Sequence, residues 1–333
     1  MSSECKLAVV IPCFNAEQTL SPCIHSVLSF PGDVKISIIV VDDGSIDDTV
    51  KTARSISQSL DSQIHILSKE NGGVSSARNY GLNFVYRSNF DYVLFLDADD
   101  ILLPDTLPFA IGLISNSDQI DFISFVYRRL KIDQLDASLD AVKSMKVRPI
   151  SVKDYADGRL VQAVSVCSTL FRVKSLRANS FYFCEDFAFG EDQLFMFQAL
   201  RALNGYLNKT QLYGYIDRMA SSAMGQFNFR QFELIDVLDH VLATDKLGFS
   251  EKMILEQRKF RVYNNVLKRL AKQSDFSSFK VIYEKSHFSY QPRLNKGFEP
   301  LWYKIVKIFG KQSYWIYLFF ERTKRRLNFK RRI

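Results

Sequence analysis

The chain has 333 residues, of which 47% are hydrophobic and 24% charged, with a formal net charge of +8. This composition predicts one or two folded domains with a buried core and excludes a disordered or fibrous protein. The five cysteines form no Cys-x-x-Cys pair, which argues against a zinc site or a disulfide framework and favours a reducing compartment. The sequence shows neither a secretory signal nor an apolar run of transmembrane length, so we expect a cytoplasmic protein without a membrane-spanning helix.

Short apolar runs alternate with helical stretches over the first hundred residues. We expect strands at 7–11, 36–41, 64–67 and 92–96, and helices at 16–30, 46–60 and 74–87. A spacing near 30 residues for each strand–helix unit predicts right-handed βαβ crossovers and therefore a Rossmann-like, mainly parallel sheet with flanking helices. The second helix has a clear start, because Ser45-Ile46-Asp47-Asp48 fits the capping pattern Ser-x-x-Asp.

After Pro104 the pattern becomes mixed. We expect a strand at 121–127, a polar connection at 130–152, a strand of a second, smaller sheet at 165–171, a helix at 190–203 and a strand at 212–216. From about residue 229 the sequence is mostly helical, with amphipathic spacing at 232–242 and 254–270. These patterns predict an α/β domain over 1–225 and a helical C-terminal region over 226–333.

A polar motif follows the first expected strand. Pro12 is expected to stop the strand, and Asn15 can cap the next helix. Phe14 lies between them and has two possible roles. An aromatic ring at the carboxyl end of a strand can stack on a nucleobase, or it can fill the core.

Acidic and glycine-rich turns follow the second and third expected strands. Asp42 and Asp43 are adjacent, so one of them is available to accept a base N–H or a ribose hydroxyl; an ordinary strand-to-helix turn is the alternative. The glycines in 71–73 let the backbone approach a ligand, and Arg78 lies one turn into the next helix, where it could reach a phosphate or the base.

Three carboxylates crowd the end of the fourth expected strand, at Asp97, Asp99 and Asp100. Ligands of open α/β sheets bind at strand ends, and this crowding is unfavourable unless a cation joins the group. Oxygen ligands suit Mg²⁺ or Mn²⁺, which usually also bind substrate phosphates. The motif therefore indicates a metal–diphosphate site, with a solvated acidic turn as the alternative.

Two further motifs lie after residue 180. Glu191 and Asp192 open a helix, where the dipole favours acids, and a carboxylate there could also act as a general base over a sugar. The polar loop after the strand at 212–216 contains Arg218 and Ser222, which could close over a diphosphate.

In their order along the chain, these motifs resemble those of the family 2 glycosyltransferases with the GT-A fold. The motifs are Pro-x-Phe-Asn, Val-Asp-Asp-Gly-Ser, Asn-x-Gly with Ala-Arg-Asn-x-Gly, Asp-Ala-Asp-Asp, Gly-Glu-Asp, and Tyr-x-Tyr-x-x-Arg followed by serine. The resemblance covers about residues 5–222. It implies an inverting enzyme that uses nucleotide-diphosphate sugars, with 1–104 as the nucleotide-binding half and 105–225 as the acceptor half.

The resemblance also implies a nucleotide site built from several strand ends. Pro12 and Phe14 match the loop under the base, and Asp43 matches the acid that reads uracil, which favours UDP. Arg78 matches an arginine near the nucleotide, and Asp97 matches the carboxylate nearer the ribose.

The remaining matches concern the metal, the base and a loop. Asp99 matches the ligand of a Mn²⁺ or Mg²⁺ ion, and since none of the four histidines lies in a matching motif, we expect few protein groups to hold it. Asp192 matches the catalytic base, with Glu191 on the acceptor side. Arg218 and Ser222 match the flexible loop that covers the donor.

Together these matches imply a hexosyl- or N-acetylhexosaminyl-transferase that acts on a glycan or lipid-linked acceptor in surface polysaccharide synthesis. A nucleotidyltransferase of sugar phosphates is one alternative, but it would be expected to have a glycine-rich basic loop after the first strand, unlike 12–15. A non-catalytic sugar- or membrane-binding module is the other, and intact Asp99 and Asp192 argue against it.

The positive charge is concentrated at the end of the chain. Residues 302–333 contain ten lysines and arginines against one glutamate, together with both tryptophans. This composition predicts a helix at the anionic inner face of the cell membrane, where a lipid-linked acceptor would give it a purpose. A helix packed on the body and a basic nucleic-acid arm are the alternatives; we expect no nucleic acid.

Overall fold

The computed structural model describes residues 5–28, 34–59, 63–131, 143–156, 160, 164–217, 233–244 and 246–273. The chain divides into two compact units, residues 1–226 and 227–333. The first unit is a sheet with helices, and the described part of the second is helical.

Four parallel strands form the first half of the sheet. In chain order, the elements are β1 (Lys6–Cys13), α1 (Leu20–Leu28), β2 (Lys35–Asp42), α2 (Thr49–Ser59), β3 (Ile64–Ser68), α3 (Gly73–Arg87) and β4 (Tyr92–Phe95). The strand order is β3-β2-β1-β4 with every neighbour parallel. The prediction of strand–helix crossovers in a parallel sheet is confirmed.

Both faces of β1 are buried, which explains its unbroken apolar run. Val9 and Ile11 belong to a core cluster that includes Leu20 of α1. Val10 points to the opposite face, where α3 comes so close that a Cβ on Gly81 would lie 2.5 Å from Val10 Cγ1. Successive residues of a strand point to opposite faces, so a strand covered on both sides has no polar position.

The second half of the unit extends the same sheet. Its elements are β5 (Ile101–Leu102), α4 (Leu107–Ser115), β6 (Phe122–Lys131), β7 (Val147–Pro149), α5 (Val152–Ala156), β8 (Thr169–Arg172), α6 (Val173–Ala178), α7 (Glu191–Ala202) and β9 (Gly205–Asp217). The strand order across the whole sheet is β3-β2-β1-β4-β8-β6-β9-β5, and β7 pairs with β9.

The expectation that 165–171 forms a strand of a second, smaller sheet is wrong. β8 lies between β4 and β6 and is antiparallel to both, so it joins the two halves into one sheet. Hydrogen-bonding partners of a strand depend on contacts distant in sequence, which a local apolar pattern does not specify.

Several boundaries also differ from the expected ones, and two of them have a clear local cause. β1 continues through Pro12 to Cys13, because the pairing with β4 ends at Val10 and a missing N–H beyond that point costs no ladder bond to β4. α2 begins at Thr49 and not at 46, since the Asp47 carboxylate accepts hydrogen bonds from both the N–H (3.0 Å) and the hydroxyl of Thr49.

The described part of the second unit consists of α8 (Glu233–Thr244) and α9 (Phe249–Gln273), which pack against each other. Leu238 and Val241 of α8 and Leu255 of α9 are buried, and Lys259 of α9 is paired with Asp239 of α8. This agrees with the helical C-terminal region that the sequence predicts. In the part of the chain that the structure describes, no helix combines the length and the apolar character needed to cross a membrane.

Candidate active site

The candidate active site lies at the carboxyl edge of the sheet, where the strand order reverses. β1 is flanked by β2 on one side and β4 on the other, and the chain passes through β2 and β3 before it returns to β4. Such a reversal leaves a crevice between the loops that follow the two central strands. The loop after β1 contains Phe14, and the turn after β4 contains Asp97 and Asp99, so two predicted donor motifs border one crevice.

Phe14 is 54% exposed, so its ring does not fill the core and can stack on a planar ligand. Two hydrogen bonds fix the loop that presents it. The Asn15 N–H donates to Ser45 Oγ (2.9 Å), and the Ile46 N–H donates to Asn15 Oδ1 (3.0 Å). Pro12 is buried within β1, two positions before Phe14.

The Asp43 carboxylate is 3% exposed and connects the loops after β2 and β3. It accepts hydrogen bonds from Lys69 Nζ (2.7 Å), the Gly72 N–H (3.0 Å) and the Gly73 N–H (2.7 Å). The neighbouring Asp42 accepts a backbone N–H within its own turn. The structure thus gives Asp43 a role in shaping the glycine loop, and its contact with a base stays a prediction. Sequence analysis missed Lys69, although its position directly after a strand was a signal.

The three carboxylates after β4 have different surroundings. Asp97 is paired with Arg78, whose Nη2 lies 2.9 Å from Asp97 Oδ1. Asp100 is buried and accepts a hydrogen bond from the Tyr213 hydroxyl; burial first, and then the charges of Asp97 and Asp99, raise the pKa of Asp100 to about 8. Asp99 is exposed. The Arg78 guanidinium therefore offsets the charge of Asp97, and burial favours the neutral form of Asp100. Asp99 is the carboxylate most accessible to a ligand.

Arg78 is buried between two carboxylates. Its side chain lies 2.9 Å from Asp97 through Nη2 and 2.9 Å from Glu191 through Nη1. The guanidinium also lies over the Phe183 ring, 5.3 Å from the centroid, and Nε has no hydrogen-bond partner among the described residues. The sequence places Arg78 near the nucleotide; the structure directs both terminal nitrogens at protein carboxylates, so its contact with nucleotide stays a prediction.

Glu191 and Asp192 begin α7 directly after Gly190. Gly190 has a φ of 88°, a left-handed conformation that favours glycine. Glu191 is buried and paired with Arg78, whereas Asp192 is partly exposed and accepts a hydrogen bond from the Gln193 N–H (2.7 Å). Burial, followed by the charge of Glu191, raises the pKa of Asp192 to about 6, while Arg78 opposes this effect. A carboxyl with a pKa near the working pH suits a general base.

The segment that leads into α7 is held by α3, a feature that sequence analysis missed. Asn79 Nδ2 donates to the Phe183 carbonyl (2.9 Å) and to Glu185 Oε1 (2.8 Å), and Asn79 Oδ1 accepts the Phe183 N–H (2.7 Å). The Tyr86 hydroxyl donates to the Phe181 carbonyl (2.9 Å). Asn79 follows Arg78 in the same sequence motif, and this position could have identified it as a candidate. Its partner Phe183 is 104 positions away, however, and local spacing does not predict such a contact.

The groups after β4 fit a hard divalent cation that binds together with a diphosphate. The exposed Asp99 carboxylate is an oxygen ligand of the type that Mn²⁺ and Mg²⁺ prefer, and both ions readily complete their shells with phosphate and water. Within the described ranges, no group of three or more His, Cys, Asp or Glu side chains could hold a metal by itself. A metal at this edge would therefore depend on the donor for further ligands.

Two predicted features fall outside the described residues. Arg218 and Ser222 of the expected donor loop lie within 218–232, directly after the end of β9, and the basic tail at 302–333 follows the last described residue. Both stay predictions.

Comparison with protein families and curated proteins gives a consistent result. The model of "Glycosyl transferase family 2" matches residues 8–179, about half of the chain. The poly(ribitol-phosphate) β-N-acetylglucosaminyltransferase TarS of Staphylococcus aureus is 26% identical over 215 residues, which cover 62% of this chain and 33% of TarS. A teichoic acid poly(glycerol phosphate) polymerase of Staphylococcus epidermidis is 26% identical over 205 residues, covering 61% of this chain and 27% of the polymerase. The chain thus spans about a third or less of the length of these relatives.

Solved structures show a similar fold. The crystal structure of S. aureus TarS 1–349 with UDP-GlcNAc superposes with a TM-score of 0.60 at 18% identity, over 89% of this chain and 98% of that one. The mannosyltransferase PcManGT of Pyrobaculum calidifontis, in complex with GDP-Man and Mn²⁺, gives a TM-score of 0.55 at 16% identity, over 95% of this chain and 86% of that one. The GT-A fold expected from the motif order is confirmed.

Proposed function

The chain belongs to glycosyl transferase family 2, and from this we propose that it is an inverting glycosyltransferase that moves a sugar from a nucleotide-diphosphate sugar to an acceptor hydroxyl. One observation carries the proposal: Arg78 joins Asp97, at the donor crevice, to Glu191, the neighbour of Asp192. A donor crevice and a carboxyl suited to general-base catalysis are thereby part of one connected site.

The donor proposed is a UDP-sugar. The exposed Phe14 ring, at the end of a central strand, supports a stacking contact with the base. TarS, which has a similar fold, was crystallised with UDP-GlcNAc, and a hexose or an N-acetylhexosamine is therefore the sugar to test first. In this proposal Asp97 faces the ribose, and Asp43 contributes to uracil recognition through the loop that it shapes.

Asp99 would hold Mn²⁺ or Mg²⁺ beside the diphosphate. When bound, the ion supplies neutralisation of the charge that develops on the leaving diphosphate. The pairing of Asp97 with Arg78 reduces the repulsion between the carboxylates of Asp97 and Asp99. Arg218 and Ser222 are proposed to cover the donor.

The chemistry proposed for Asp192 is a single displacement. The ionised carboxylate accepts the proton of the acceptor hydroxyl while that oxygen forms a bond to the anomeric carbon on the face opposite the diphosphate. The bond between that carbon and the diphosphate oxygen breaks, so the nucleoside diphosphate leaves with the electron pair. One displacement inverts the anomeric centre, and Glu191 lies on the acceptor side of this reaction.

The acceptor proposed is a glycan or a lipid-linked glycan in surface polysaccharide synthesis. One curated relative is named for poly(ribitol-phosphate) and the other for a teichoic acid poly(glycerol phosphate). The basic aromatic segment 302–333 would keep the enzyme at the inner face of the cell membrane. In this proposal 1–104 binds the nucleotide, 105–225 faces the acceptor, and 302–333 contacts anionic lipid.

The test uses the full chain with Mn²⁺ and a panel of UDP- and GDP-sugars. We expect release of nucleoside diphosphate from one donor by slow hydrolysis even without acceptor, and faster release when glycan or lipid-linked acceptors are added. NMR of the transferred sugar should show the inverted anomeric configuration.

Three outcomes would contradict the proposal. Release of inorganic diphosphate from a nucleoside triphosphate and a sugar phosphate would indicate a nucleotidyltransferase. Binding of a sugar nucleotide without any turnover would indicate a binding module. Retention of configuration would exclude a single displacement.

A further inference from the structure

Arg78 connects the turn after β4 with the start of α7, two segments that are far apart in the sequence. Its two terminal nitrogens each lie 2.9 Å from a carboxylate, one belonging to Asp97 and the other to Glu191. These carboxylates come from the turn after β4 and from the first turn of α7. The side chains of Arg78 and Glu191 are 5% and 11% exposed, so solvent screens their contact little, whereas Asp97 is 36% exposed and its contact is screened more.

The geometry requires a guanidinium and not merely a positive charge. The planar fork of arginine can donate to two carboxylates at once, whereas a lysine ammonium is a single point of charge on a flexible stem. The Phe183 ring lies 5.3 Å below the guanidinium carbon, and Cys167 Sγ lies 3.8 Å from Nη2, which keeps the group in place. Both terminal nitrogens of Arg78 thus contact protein groups.

We propose that Arg78 is a positioning residue that fixes Glu191 against Asp97 and thereby sets the place and the charge surroundings of the base Asp192. The inference rests on the proposed function, because it assigns Arg78 to the base side of that reaction. It differs from the expectation from sequence, in which Arg78 contacts the nucleotide.

The charged groups facing Asp192 act on it in opposite directions. In the described part of the chain they are Glu191 on its own helix, Arg78 on α3 and Asp97 after β4. The two carboxylates favour the protonated acid, and Arg78 favours the carboxylate. Removing Arg78 should therefore raise the pH at which Asp192 becomes active as a base, and removing the charge of Glu191 should lower it.

The experiment measures kcat as a function of pH for wild type, Arg78→Gln and Glu191→Gln. We expect the acidic limb of Arg78→Gln to move upward by about one pH unit or more, and that of Glu191→Gln to move downward, which are shifts of the size that a nearby charge produces. Arg78→Lys restores the charge without the fork, so we expect its limb near that of wild type with kcat still reduced.

Asn79→Ala is the matched control. It releases the same segment, at Phe183 and Glu185, without removing a charge from the neighbourhood of Asp192. If the role of α3 were purely structural, Arg78→Gln and Asn79→Ala would both have a lower melting temperature and a lower kcat. The acidic limb of the pH profile would then stay in place in both variants. A shifted limb in Arg78→Gln together with an unshifted limb in Asn79→Ala supports the inference.

Several results would overturn it. If Arg78→Gln raised only the KM for the donor, the arginine would act on the nucleotide, as the sequence predicts. If Arg78→Gln failed to fold, Glu191→Gln would still decide, because an unmoved limb there contradicts the charge coupling. Absence of turnover in wild type would instead contradict the proposed function itself, so the two failures are distinguishable.

Discussion

Asp97 and Glu191 are nearly a hundred positions apart and share one guanidinium, each at 2.9 Å from a terminal nitrogen of Arg78. This contact places the start of α7, and with it Asp192, next to the turn that carries the predicted metal ligand. Two motifs that are separate in the sequence therefore lie side by side in the structure.

Asp192→Asn should lower kcat by about 10²–10⁴-fold, the usual contribution of a general base, while donor affinity is retained. The amide has nearly the same shape but cannot take a proton from the acceptor hydroxyl. Steady-state kinetics and calorimetric titration with the donor nucleotide measure the two quantities. Asp186→Asn, an exposed acid in the preceding loop, is the control and should leave kcat unchanged. Equal turnover in both variants would remove Asp192 from the mechanism.

The pH dependence of kcat should show an acidic limb with a midpoint near pH 6. The pKa of Asp192 is raised to about 6 by burial and by Glu191, and the base works only when it is ionised, so turnover falls as the pH drops through this value. Measurement between about pH 5 and 8 is sufficient. Residual turnover of Asp192→Asn should lack this limb; if the limb persists there, another group is responsible.

Asp99→Asn should weaken donor binding in the presence of Mn²⁺ and leave binding without metal largely as it is, because the proposed contact of Asp99 with the donor passes through the metal. Asp105→Asn is the matched control, since Asp105 is also exposed, follows Asp99 closely in the chain, and has a φ of 56° that asparagine tolerates. Titration calorimetry with and without Mn²⁺ separates the effects. Identical metal dependence in wild type and Asp99→Asn would exclude Asp99 as the ligand.

Phe14→Ala should weaken UDP binding by roughly 5- to 150-fold, which corresponds to the loss of about 1–3 kcal/mol of stacking on one base. The melting temperature should change little, because the ring is 54% exposed and contributes little to the core. Phe249→Ala removes a ring that is 82% exposed in the second unit and should not affect binding. Unchanged affinity for UDP in Phe14→Ala would exclude the stacking contact.

Gly190→Ala should lower the stability by about 1–2 kcal/mol, since a φ of 88° brings the new Cβ against the backbone. It should also reduce kcat, because Gly190 directly precedes α7, whose first turn contains Asp192. Gly112→Ala is the control: its Cβ would meet no atom within 4 Å and it lies inside α4, so we expect a gain of about 0.5–1 kcal/mol. Denaturant unfolding measures both; a stable Gly190→Ala variant would contradict the strained turn.

The sequence by itself determined the parallel half of the sheet and the order of the motifs. Buried strands such as β1 are apolar along their whole length, and the strand–helix spacing leaves few topologies, so local pattern was sufficient there. Position at a strand end likewise identified Phe14, Asp97 and Asp99 as candidates, because parallel strands present their carboxyl ends at one edge.

Only the tertiary structure decided which candidates lie together. The insertion of β8 between β4 and β6, the exposure of Phe14 and the commitment of Asp43 to the glycine loop all depend on contacts between residues distant in sequence. The same is true of Arg78: spacing placed it near a ligand, whereas packing buried it between Asp97 and Glu191. A local pattern specifies which face of an element is apolar, but the partner of a buried charge is fixed only when the elements pack.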